Sequence, residues 1–84
     1  MVCRCYLVCN SITYAQRMEK CLRRAGYNAP IARIPASLNL GCGHAVRICE
    51  EDLNGTLRQL RQCGLTPSRV GLLYDDGYFQ ELRP

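Results

Sequence analysis

Apolar residues in this chain come in short runs, separated by glycine, proline and polar turns. In the first run, Cys3, Cys5, Leu7 and Cys9 alternate with Val2, Arg4, Tyr6 and Val8. A run this short and this rich in Val, Leu, Tyr and Cys reads as a buried strand with the two sets on opposite faces. Asn10-Ser11 offers a helix cap. Ala15, Met18, Leu22 and Ala25 then recur at helical spacing, opposite a polar face of Gln16, Arg17, Glu19, Lys20, Arg23 and Arg24. Met18 reads as core filler, and Gly26 suits the left-handed residue past a helix end. A second strand follows over 28–34, carried by Ile31 and Ile34 and stopped by Pro35, which has no N–H to donate. His44 to Cys49 reads as a third strand, with Ala45, Arg47 and Cys49 on one face and His44, Val46 and Ile48 on the other. Glu50-Glu51-Asp52 opens a second helix, three acids complementing the positive end of its dipole. Leu53, Leu57 and Leu60 form its stripe, and Gly64 and Pro67 end it. Gly55 weakens it by about 1 kcal/mol relative to alanine. Val70 to Tyr74 is a fourth strand and Asp75-Asp76-Gly77 a turn. The tail, Tyr78 to Pro84, suits an edge strand, a dimer contact or a frayed end.

The spacing predicts helices over 11–25 and 50–63 and the order β-α-β-β-α-β. That is an α+β class chain with the ferredoxin-like split βαβ arrangement. Its expected form is a four-stranded antiparallel sheet in the order 4-1-3-2, with two helices on one face. One domain spans 1–84, its core about 2–74 and its tail 75–84. At 84 residues such a domain buries roughly 60% of its unfolded surface, which makes a homodimer or a partner protein a natural support.

Charge and cysteine content narrow the class. The formal charge is +4, but the arginines at 23, 24, 33, 47, 58, 61 and 69 are spread along the chain. No clustered basic patch results, so nucleic acid is not an expected partner. No apolar run approaches the roughly 18 residues of a membrane span, and Met1 runs into the first strand with no long apolar leader. Seven cysteines cannot all pair within one chain, which points to reduced thiols and the cytoplasm.

One cysteine stands apart. Ser37-Leu38-Asn39-Leu40-Gly41-Cys42-Gly43 lies between the second and third strands, and it holds Cys42 between two glycines. Gly41 and Gly43 leave no side-chain bulk beside the thiol and permit a backbone with positive φ. A plain tight turn is the simpler account of the same residues. The expected topology brings this loop to the same end of the sheet as Cys9 and the start of the first helix. A helix N-terminus carries about half a positive charge, and a thiol near it has a lowered pKa and more thiolate. Cys9 is a candidate second thiol there, or a plain buried cysteine. His44, two residues after Cys42, is a candidate proton acceptor, since a Cys-His pair generates a nucleophile. Arg33 and Arg47 flank the loop on adjacent strands, and alternation offers both to the open face of the sheet. There they would dock an acidic partner or an anionic group, or stand as two solvated arginines. Cys3, Cys5 and Cys49 gather at the opposite end. Three thiols suit a soft metal, but no Cys-x-x-Cys pair is present, and no metal site is expected. Gly41-Cys42-Gly43 also lacks the Gly-Lys-Ser/Thr of a phosphate loop.

Several of these segments together resemble a known family. They are Tyr6-Leu7-Val8, the helix from Ala15 to Leu22 with Glu19-Lys20, Arg33-Ile34-Pro35, Cys42-Gly43, Ala45-Val46-Arg47 and Glu51-Asp52-Leu53. From residue 6 to 74 the chain is similar to small bacterial proteins of a domain family labelled selenium/sulfur carrier-like. The Pro…Cys-Gly…Arg pattern around Cys42 is the most specific part. The resemblance implies a thiol that holds sulfur or selenium as a persulfide or perselenide, and it assigns that thiol to Cys42. It implies no other cofactor. It makes the chain a carrier more than a turnover enzyme, with a cysteine desulfurase or similar donor and an acceptor enzyme as partners. Two readings from other classes compete. One is a small-molecule-binding or regulatory ferredoxin-like module with no thiol chemistry; the other is a thiol redox enzyme using Cys42 and Cys9.

Overall fold

The structure is a computed structural model that describes residues 3–38, 40 and 43–82. Its elements are β1 (Cys5–Val8), α1 (Ile12–Arg24), β2 (Ile31–Arg33), β3 (His44–Ile48), α2 (Leu53–Gln62), β4 (Arg69–Leu73) and β5 (Phe79–Glu81). Short 3-10 turns occupy Ala36–Leu38 and Glu50–Asp52, so the three acids precede α2 instead of forming its first turn. All strand pairs are antiparallel, in the order β2-β3-β1-β4-β5. The expected four-stranded sheet is therefore corrected to five strands, with β4, β1, β3 and β2 in the expected order and the tail added at the edge.

The turn chemistry explains the fifth strand. Gly77 takes φ +90, its N–H donates to the Tyr74 carbonyl at 2.9 Å, and Tyr74 N–H donates to the Tyr78 carbonyl at 2.9 Å. The Asp76 carboxylate accepts from Tyr78 N–H at 3.0 Å. The chain is thereby folded back along β4, where Gly71 makes room for it. A Cβ at Gly71 would lie 2.6 Å from the Gln80 carbonyl oxygen and 2.7 Å from Cε2 of Phe79.

Both helices end by the same device. Tyr27 N–H donates to the Leu22 carbonyl and Gly26 N–H to the Arg23 carbonyl, with Gly26 at φ +92. Leu65, Gly64, Leu60 and Arg61 repeat this pattern at the end of α2. Ser11 caps α1, its hydroxyl accepting from Tyr14 N–H at 3.0 Å. Gly55, whose cost to α2 was legible, has a packing reason. A Cβ there would lie 3.3 Å from Cζ of Tyr27, so the ring just past α1 needs the bare backbone.

The helices cover the face that carries Cys5, Leu7 and Cys9, with Val46, Ile48, Val70 and Leu72 beside them. Ala15, Met18, Leu22 and Leu60 fill the space above, each fully buried. A smaller apolar cluster lies on the other face, where Val8, Ile34 and Ala45 meet Tyr6, Leu38, Leu40 and Phe79. Among the described residues no helix is long and apolar enough to cross a membrane.

Candidate thiol site

Three elements meet at one end of the sheet: the end of β1, the start of α1 and the start of β3. Cys9 joins them. Its N–H donates to the His44 carbonyl at 3.5 Å, and its thiol donates to the carbonyls of Ser11 at 3.4 Å and His44 at 3.5 Å. Cys9 is 1% exposed. The start of β4 is tied to the same place, since Ser68 donates to the Val8 carbonyl from its N–H at 2.8 Å and its hydroxyl at 3.1 Å. The Tyr14 hydroxyl accepts from Thr66 N–H at 2.8 Å. Between these groups lies a cleft of about 240 Å³, lined by Cys9, Asn10, Ser11, Tyr14, Thr66 and Ser68.

The sequence-chosen residues distribute as follows. Cys9, His44 and the start of α1 come together, as the topology required. Gly43 takes φ +80, receives Ile34 N–H on its carbonyl at 2.8 Å, and donates to the Leu40 carbonyl at 3.4 Å. Gly41 and Cys42 lie outside the described residues. His44 is half-buried, and among the described residues its Nδ1 is a buried nitrogen with no hydrogen-bond partner. That nitrogen has capacity for one proton or one hydrogen bond from a group brought to it.

Arg33 and Arg47 do not share a face. Arg33 pairs with His44, whereas Arg47 pairs with Tyr6. Directly opposed residues of an antiparallel pair project to one side, and His44 and Arg47 are an odd number of steps apart on β3. Arg47 is therefore on the open face and Arg33 on the helix-bearing side at the β2 edge, both exposed. The expectation that both reach the open face is corrected by this register.

The opposite end carries the other thiol group. Cys3 and Cys49 are disulfide-bonded, with Cα atoms 4.1 Å apart. Antiparallel pairing of β1 with β3 brings them together. Cys21 and Cys63 form a second bridge between the helices, with Cα atoms 6.8 Å apart and the Gln59 carbonyl 3.6 Å from the Cys21 sulfur. The reading of uniformly reduced thiols is thus corrected for four of the seven cysteines. Sequence alone missed the second bridge, although Cys21 stands beside Met18 and Leu22 on the buried stripe and Cys63 at the last turn of α2. Cys5 remains a thiol, fully buried, and burial pushes it from an ordinary value of 9.0 up to about 11, with Glu50 adding to the rise. A thiol held neutral to that degree is no nucleophile.

Comparison with known proteins adds three findings. No solved structure matches the chain. A stretch of 56 residues, 67% of the chain, is 38% identical to the bifunctional purine biosynthetic protein ADE1 of Schizosaccharomyces pombe, but it spans only 7% of that protein. A family model described as "Putative Se/S carrier protein-like" matches residues 4–70, the whole path from β1 into β4 and the Cys42-Gly43 segment within it. With most of its length covered by that one model, the chain belongs to the Se/S carrier protein-like family.

Proposed function

We propose that the chain carries sulfur or selenium on Cys42 and delivers it to an acceptor protein. The observation that carries this reading is the family match over residues 4–70. In the proposed loading step the Cys42 thiolate attacks the outer sulfur of a donor persulfide, R–S–SH. A new S–S bond forms on Cys42, the donor S–S bond breaks, and the donor leaves as its thiolate R–S⁻. Selenium follows the same balance through R–S–SeH. Delivery repeats the exchange with an acceptor thiolate and returns Cys42 to a thiolate. The donor is a cysteine desulfurase or an enzyme of like chemistry.

The surroundings support this role in chemical terms. Gly43 keeps bulk away from the neighbouring backbone, and the capped start of α1 lies at the same end of the sheet. Among the described residues His44 Nδ1 has no hydrogen-bond partner, and it is proposed to accept the proton that the thiol gives up. Arg47 and Arg33, on different faces, are proposed to contact donor and acceptor separately. We read the first four strands and two helices as a ferredoxin-like βαββαβ unit with β5 appended. The cytoplasm is the proposed setting, because its reducing poise keeps Cys42 from pairing with another thiol between rounds of loading.

The test is mass spectrometry after incubation with a cysteine desulfurase and cysteine. Added sulfur is expected on Cys42 and on no other residue, and Cys42→Ser is expected to abolish loading while leaving the fold intact. A serine variant that still accepts sulfur would refute the carrier reading.

A further inference from the structure

The fifth strand has a geometric consequence for the helix-bearing face. Two helices, each about 10 Å across, cover about four strands spaced about 4.8 Å apart. With β5 added, the sheet extends past the flank of α2. A groove of about 570 Å³ lies there, between α2 and the β4–β5 edge. That volume is in the range of small-molecule sites, roughly 300–1,000 Å³. Leu57 of α2, Leu65, Val70 of β4 and Leu82 after β5 line it with apolar surface. Leu65 and Val70 are 4% and 8% exposed, so this floor belongs to the rigid core.

The polar groups of the groove are nearly all engaged. Arg69 opposes Val8 and Glu81 opposes Gly71, so both side chains project to the open face, where they are bonded to each other at 2.8 Å and cancel one charge with another away from the groove floor. The Ser68 hydroxyl donates to the Val8 carbonyl. Arg61, exposed on α2, is the remaining charge lining the groove, and it has no carboxylate partner among the described residues. An apolar floor with a single open guanidinium specifies its ligand: one negative charge, a planar oxygen pair for the guanidinium fork, and a short apolar body. The geometry points to a binding site for small apolar monocarboxylates in this groove, with Arg61 holding the carboxylate. The site lies outside the proposed carrier chemistry, and neither depends on the other.

The test is an NMR titration of the full chain, labelled with ¹⁵N, using 4-phenylbutyrate and its uncharged twin 4-phenylbutanamide. The carboxylate is expected to shift the amides of Leu57, Arg61, Leu65, Val70 and Leu82 along one binding isotherm. Arg61→Gln is expected to weaken the carboxylate about tenfold or more, as the two-pronged charge-assisted contact is replaced by at most one neutral hydrogen bond, and to leave binding of the amide unchanged. Arg61 is exposed at the groove rim, so that variant keeps the fold, and its unliganded spectrum checks this directly. The proposal is overturned by shifts that map elsewhere or are absent, or by an equal loss for acid and amide. It is also overturned by concentration-dependent broadening of the groove amides, which would make a second copy the occupant. Repeating the titration on Cys42→Ser separates this result from the carrier reading, because groove binding is expected to be unchanged there.

Discussion

The Cys9 thiol and the carbonyl of His44 are 3.5 Å apart, although 35 positions separate them in the chain. This contact ties the end of β1 to the start of β3, one residue after Gly43. At 1% exposure, the Cys9 sulfur held in this contact has little access to solvent. Iodoacetamide applied to the folded protein at neutral pH is therefore expected to modify Cys42 well before Cys9 or Cys5, read by peptide mapping against time. If Cys42 has thiolate character, its rate is expected to fall off with decreasing pH only below the ordinary thiol value of about 8.5. Alkylation of Cys9 at a comparable rate would show that the end of the sheet opens readily.

Cys5 gives a pH prediction with a definite sign. Its folded value, about 11, lies above the ordinary 9.0. Below pH 9 the thiol is protonated in both states and its contribution to stability is complete. Between 9 and 11 the unfolded chain releases the proton while the folded chain holds it, so stability falls as pH rises through that window. The loss is on the order of 2–3 kcal/mol. Urea midpoints of the wild type and Cys5→Ala are expected to converge from pH 8 to pH 11. Parallel curves would show that Cys5 does not titrate as described.

The Cys21–Cys63 bridge closes a loop with a sequence separation of 42 and joins the two helices. Cross-links over loops of that order stabilise by about 2–4 kcal/mol, chiefly by restricting the unfolded chain. Cys63→Ser, at an exposed position, is expected to lower the unfolding free energy by that amount under oxidising conditions. With an excess of dithiol reductant the same variant should match the wild type. A difference that persists under reduction would assign the effect to packing.

Gly71 predicts the fate of β5. An alanine there places its Cβ 2.6 Å from the Gln80 carbonyl and against the Phe79 ring, so the edge strand must shift. Overpacking of this kind costs about 1–3 kcal/mol. Hydrogen exchange in Gly71→Ala is expected to speed up at Leu82, whose N–H donates to Val70 at 2.7 Å, while Leu7 and Val46 at the sheet centre stay protected. Loss of protection throughout would mean that β5 is integral to the core.

These outcomes bear on how far the sequence could be read. Ser11, Gly26 and Gly64 mark the helix limits because capping chemistry is local, and the structure places caps and left-handed glycines at those residues. The inner strand order followed from topology. The role of the tail did not, because pairing of Phe79–Glu81 with β4 depends on space left by Gly71 on the partner strand. The facing of Arg33 was missed for a similar reason. Alternation gives the two sides of each strand, but only the register of β2 on β3 decides which side of one matches which side of the other. The meeting of Cys9 with His44 was legible at the level of which ends adjoin. The bridge between Cys21 and Cys63 was not, since helix-to-helix proximity has no local signature. Cys42 was singled out by its glycine flanks and stands inside the matched family segment.

The central place of β1 also sets an order of events during synthesis. β1 leaves the ribosome before its neighbours, yet it pairs on one side with residues 45–48 and on the other with residues 69–72. Its hydrogen-bonding edges therefore wait for chain that is made much later. Non-local pairing of this kind slows folding and exposes unpaired strand while it waits. α1 is the element able to shelter it, because its buried stripe of Ala15, Met18 and Leu22 packs on the face bearing Cys5 and Leu7. The nascent chain can thus hold β1 against α1 as a one-sided intermediate until β3 and then β4 arrive.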